Sequence, residues 1–269
     1  MRLPAALLLV PFLVEDPAPP PKPESPPAGP VTPRAADRHP EASPAAKVIA
    51  AVAAAAAEDA ALPAEKRAAP GALADLLVRR AAAAAGGDAR AFLVGLGFAL
   101  DPGGTLARHP FAAADLQEAE TAEQARARLA ALGKPALRGR KDLLLHFTVS
   151  AALRAVAGEA HAEAAGVAKE LADSRGGTGF SFADLLADLA GIRFAGWLLE
   201  KDSAARLKRV AEGFRGDDFL PDPSREPEGL QEGEFARRYG SVDDERFLAK
   251  RKALADAVGA LAVYRPPAK

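Results

Sequence analysis

The feature that most limits what this chain can fold into is the alanine that fills it. Residues 53–57 and 81–85 are unbroken alanine, and alanine makes up much of the 49% apolar content. Alanine is the strongest helix former, and strand-favouring residues are scarce, with aromatics at only 6%. The expectation is an all-α fold whose cores are thin and whose helices approach closely, because little side-chain bulk separates them.

Several classes of function fall away on composition. A net charge of −1 offers no basic face for nucleic acid. The absence of cysteine removes disulfides, thiolate metal sites and cysteine nucleophiles, and it leaves no lipobox for lipid attachment.

Arg2 followed by Leu3 to Val14 has the charge and the short apolar run of a secretory signal, so residues 1–15 read as an export signal. The alternative is an N-terminus buried in the fold or left unstructured. Such a run is too short to cross a bilayer, which takes about 20 residues. No transmembrane span is expected, peripheral membrane contact stays open, and the expected location is the periplasm or cell envelope. Residues 16–43 hold ten prolines and almost no large apolar groups, the composition of an extended tether.

Helix signals begin at Ser43-Pro44, a capping oxygen followed by proline at the first helical position. A helical region over 44–134 follows, punctuated by Pro63, Pro70, Gly86-Gly87 and the Asp101 to Gly104 turn. Leu93, Gly95, Leu96, Phe98 and Leu100 predict a helix packed on most of its sides. Thr121 and Gln124 have capping-box spacing. This half carries no chemical constellation, and its histidine, His109, reads as a surface loop residue. After a core at 135–200, residues 201–269 form a helical appendage. There Ser241 with Asp244 caps a last helix to about Val263, and Phe235, Tyr239, Phe247, Leu248 and Leu254 form a candidate apolar seam.

Polar residues recur at helical spacing only within 141–197. In the helix expected at about 142–157, His146, Ser150 and Arg154 share a face, while Leu145, Val149, Ala152 and Val156 share a packing face. Asp142, one turn before His146, is placed to orient its imidazole. In a second helix at about 159–174, Gly166, Glu170 and Asp173 form a stripe beside Lys169, and an interior glycine there predicts a close helix crossing. The turn from Arg175 to Gly179 supplies free N–H groups. Ser181 then caps a third helix at about 182–199, with Asp184 at the capping-box position and Asp184, Asp188 and Gly191 on one stripe. Two aspartates at i, i+4 repel and call for a counter-charge. Lys169, Arg193, a protonated His146 or a bound cation would supply it. The bland reading is a buried ionic network that holds the packing. The functional one is a polar site.

These residues resemble a known family. The order Asp142-x-x-x-His146-Phe147-x-x-Ser150-Ala151, then Gly166-x-x-Lys169-Glu170-Leu171-x-Asp173-Ser174-Arg175, then Gly179-Phe180-Ser181-Phe182-x-Asp184-Leu185-x-x-Asp188-x-x-Gly191 looks like the YfiM-like family. That is a group of small, uncharacterised bacterial envelope proteins, usually predicted lipoproteins. A more distant echo is the VanZ-like family of membrane proteins. The resemblance implies an exported α-helical domain and no established activity. Leu143 stands where the family has a lysine, and the family's lipid anchoring does not carry over without a cysteine.

Two functions from different classes follow. The first is a non-catalytic envelope protein, a tethered helical module that binds an envelope component or a protein partner. The second is a cation-dependent hydrolase acting on an envelope phosphate or amide. In it His146 and Glu170 are the candidate catalytic residues, Lys169, Asp173 and Ser181 candidate binding groups, and Asp184 and Asp188 candidate ligands of a hard divalent cation. An open cleft beside His146 would suit a site, and a sealed cluster a structural network.

Overall fold

The computed structural model describes residues 42–112, 116 and 119–265, which belong to one unit, Glu41–Lys269. The signal-like run and nearly all of the proline-rich stretch lie outside the described residues. Folding starts where the capping chemistry places it: the Ser43 hydroxyl accepts the Ala46 N–H at 3.1 Å, and α1 spans Pro44–Ala60. A chain beginning at Ser43 is expected to keep both its helical circular dichroism and its thermal midpoint. A large loss of either would place the earlier residues within the fold.

Ten α-helices are present among the described residues, with no strand longer than an isolated bridge, so the protein is all-α. After α1 come α2 (Pro70–Ala84), α3 (Ala89–Leu100), α4 (Ala122–Ala131), α5 (Lys141–Ala157), α6 (Glu159–Ser174) and α7 (Phe182–Leu199). The chain closes with α8 (Ser203–Gly213), α9 (Glu232–Tyr239) and α10 (Glu245–Gly259). No described helix is long and apolar enough to cross a membrane.

The centre is α7, buried along nearly its whole length, and its most extensive partner is α5. The contact is close because Gly191 presents no side chain: a Cβ added there would lie 2.0 Å from the Phe147 carbonyl oxygen. Residues Leu143, Leu144, Phe147 and Ala151 form much of the α5 packing face. Of the expected packing face, Ala152 is fully buried while Leu145, Val149 and Val156 are only half-buried, because α7 meets α5 on the other side. α3 is buried on most of its sides, as its sequence predicts, with Arg90 exposed and Phe98 half-covered under the Arg128 guanidinium.

The scarce aromatics sit where thin helices need filling. Phe92, Phe147, Phe194, Phe214 and Phe219 pack around the C-terminal half of α7. Phe180, Phe182, Phe235, Tyr239 and Phe247 dock α9 and α10 onto its N-terminal end. Leu248, placed in that seam by sequence, is exposed instead. Thr121 and Gln124 form the expected capping box. At the last helix the expected box is corrected: Asp244 is itself the N-cap, accepting the Arg246 N–H at 2.9 Å, and the helix ends at Gly259.

Candidate functional site

The packing of α5, α6 and α7 brings the polar stripes together. His146 Nδ1 lies 3.0 Å from Asp188 Oδ1, and Ser150, one turn along α5, donates to the same oxygen at 2.6 Å. Asp188 Oδ2 is buried without a hydrogen-bond partner, against the helix that carries Gly166. A Cβ on Gly166 would stand 2.7 Å from that oxygen, so this glycine makes the close crossing its sequence position predicts.

The other imidazole nitrogen faces a second group. Lys169 Nζ sits 3.1 Å from His146 Nε2, 2.8 Å from Glu170 Oε1, 3.0 Å from Asp173 Oδ2 and 3.7 Å from Asp184 Oδ2. The ammonium therefore occupies the middle of the carboxylates. Glu170 is fully buried, and its other oxygen accepts the Ser181 N–H at 2.9 Å. Ser181 Oγ in turn accepts the Asp184 N–H at 3.0 Å and caps α7.

Charge and burial set the protonation of these groups. Burial alone would depress the His146 pKa. The Asp188 hydrogen bond and charge, helped by Asp184 and opposed by Lys169, carry it above the ordinary histidine value of 6.5. Burial raises the Glu170 carboxyl against the pull of Lys169 and the Ser181 N–H. It likewise raises Asp184 against His146 and Lys169. Lys169 itself is held firmly charged: although burial opposes its charge, hydrogen bonds to Glu170 and Asp173 prevail. A lysine so held is a fixed cation rather than a nucleophile.

Four sequence-based assignments change here. Asp142 does not orient His146; it pairs with Arg140, and Asp188 does the orienting. The Asp184 carboxylate does not close a capping box on Ser181, because Glu170 takes the Ser181 N–H and Asp184 turns to Arg140, His146 and Lys169. Arg193 is not a counter-charge of the cluster, since it lies over the Tyr264 ring near Glu200. The N–H groups of Gly177, Gly179, Phe180 and Phe182 are not free: they bond to Asp173, Leu230 and Pro227 carbonyls, closing α6 and pinning the start of α7.

Arg140 is the contributor that sequence reasoning missed. It links Asp142, Asp184 at 3.1 Å and Glu228, from a tight turn in which Leu137 and Arg140 exchange backbone hydrogen bonds. The turn puts Arg138 at φ 48°, held by its guanidinium on the Leu220 carbonyl at 3.0 Å. The Gly139 that shapes the turn was the available signal, but nothing in the order of residues ties Arg140 to Asp184.

The cluster is not sealed. A small cleft of about 160 Å³ opens beside it, walled by Leu145, Val149, Leu153 and Ala165, with His146, Lys169 and Asp188 in its lining. For a metal, His146, Glu170 and Asp184 each offer a ligand atom, all within 4.8 Å of one another. Asp188, assigned as a ligand from sequence, instead holds the imidazole from behind. Compared with protein-family models, curated proteins and solved structures, the chain matches none of them.

Proposed function

We propose that this chain is an exported helical module of the cell envelope that binds an envelope component or protein partner, and that its polar cluster serves binding rather than catalysis. The observation that carries the reading is the position of Lys169. Its ammonium stands among Glu170, Asp173 and Asp184 and supplies the counter-charge the aspartate stripe requires, so the carboxylates need no bound cation. The adjoining cleft, apolar along its walls with a charged lining, has the make-up of a small binding pocket. The tether-like composition of residues 16–43 suits a domain held away from a membrane or wall. Metal analysis of the protein purified from its native envelope is the test. The binding reading expects no dication held by His146, Glu170 and Asp184, so any bound metal should be unaffected by Asp184→Asn; a stoichiometric dication that Asp184→Asn removes would overturn it.

A second reading, the cation-dependent hydrolase, is favoured by the convergence of His146, Glu170 and Asp184. In that case Lys169 must leave before a dication enters, because two cations cannot share the centre. Removing the ammonium is therefore expected to raise affinity for a hard dication by about tenfold or more, given Coulomb energies of several kcal/mol at such distances. Titrating wild type and Lys169→Met with Mn²⁺ reads this directly. Equal affinity in the two would remove the metal site from consideration.

A further inference from the structure

A second pair of imidazoles lies apart from the cluster. His109 sits in the loop 101–112, and His161 lies in the first turn of α6. Their Nε2 atoms stand 3.2 Å apart, with the rings nearly perpendicular at 83°. Phe111 packs edge-on against His161 and beside His109. The loop is anchored, since the Asp101 carboxylate accepts the Gly103 and Leu106 N–H groups and Leu106 and Ala112 are fully buried. The same loop supplies Thr105 to the lining of the cleft beside His146.

We propose that His109 and His161 form a two-histidine site for a transition-metal dication such as Zn²⁺, which pins the loop 101–112, and with it the Thr105 edge of the cleft, to α6. Two nitrogens at the usual bond length from a tetrahedral zinc ion stand about 3.3 Å apart, so the pair already has the bite such an ion requires. Burial, with the neighbouring His161, keeps the His109 ring below the ordinary histidine pKa, which favours the neutral form that ligates. Without a metal the same two atoms can share only one hydrogen bond. His109 Nδ1 is buried without a hydrogen-bond partner, so nothing on that side of the ring fixes which nitrogen carries the proton. No carboxylate completes the set among the described residues, where the three-residue group is His146, Glu170 and Asp184. The remaining coordination positions fall to water or to a donor from a bound partner.

Calorimetric titration of the full chain with Zn²⁺, and with Mg²⁺ as the hard-cation control, tests the site. Zn²⁺ is expected to bind at one site that Mg²⁺ does not occupy. Its affinity is expected to fall by about tenfold or more in His161→Ala, as for the loss of a direct ligand, and to persist in Asp184→Asn. His161 is exposed, so its removal leaves the core untouched, and His109→Gln provides an independent check. Wild-type affinity in His161→Ala would overturn the proposal. So would a loss confined to Asp184→Asn, which would put the ion in the His146 cluster, or no zinc binding by the wild type, which would leave a plain imidazole hydrogen bond.

Discussion

Gly191→Ala is expected to destabilise the protein by about 3 kcal/mol, a large cost for one methyl group. The added carbon would meet the Phe147 carbonyl oxygen at 2.0 Å and its carbonyl carbon at 2.8 Å. Both are backbone atoms of α5, so no rotamer change relieves the clash. α5 and α7 must separate, which also parts His146 from Asp188. Gly166→Leu should cost less, about 1–3 kcal/mol. The atom in its way is the Asp188 carboxylate oxygen at 2.7 Å, a side chain that can yield only by leaving His146 and Ser150. Helix propensity works the other way, since a non-glycine residue in a helix interior gains up to about 1 kcal/mol over glycine. Urea unfolding of each variant decides the matter. A Gly191→Ala stability within about 0.5 kcal/mol of wild type would show an exposed, adaptable surface rather than a backbone crossing.

These glycines also show how far the fold was legible in the sequence. A glycine inside a helical pattern costs stability, so Gly166 points to a crossing from sequence alone, whereas Gly191, read there only as part of the Asp184 and Asp188 stripe, makes the tighter one. The helices at 89–100, 159–174 and 182–199 follow from local signals alone: caps, glycine stops and apolar spacing. Local spacing also puts His146, Ser150, Asp184 and Asp188 on particular faces. It does not say which face meets which. Leu145, Val149 and Val156 look like a packing face on periodicity, yet the buried side is set by Gly191, which draws α7 to the Phe147 side. Partners distant in sequence were the least legible. Asp142 looked like the orienting carboxylate because it lies one turn from His146, whereas Asp188 reaches it across 42 positions. Arg140 meets Asp184 across 44 positions through a turn with no signature of its partner. His109 read as an isolated loop residue because His161 lies 52 positions away.

Asp188→Asn is expected to cost about 3 kcal/mol at pH 5, as when one member of a buried charge pair is removed, and clearly less at pH 8.5. In the wild type, Asp188 outweighs burial and Lys169 and raises the His146 pKa above 6.5. A group whose folded pKa is raised contributes stability that is fully present below its unfolded value. That contribution is lost as pH rises through the folded value. At pH 5 the imidazolium can donate from Nδ1 to Asp188 and direct Nε2 toward Asp184 Oδ2, 3.5 Å away, while Glu170 and Asp173 retain Lys169. At alkaline pH the neutral ring needs only an acceptor at Nδ1–H, and the asparagine carbonyl supplies one, so the difference between the proteins shrinks. Thermal midpoints of both proteins across this range, with and without Mn²⁺, separate the two readings of the cluster. A charge-satisfied cluster predicts a gap that narrows with rising pH and ignores the metal. If Asp188→Asn were neutral or stabilising and also abolished a metal-dependent rise in the wild-type midpoint, the stored repulsion would belong to a cation site, and the hydrolase reading would take precedence. A gap insensitive to both pH and metal would mean that Asp188 does not control the charge of His146, which would defeat both.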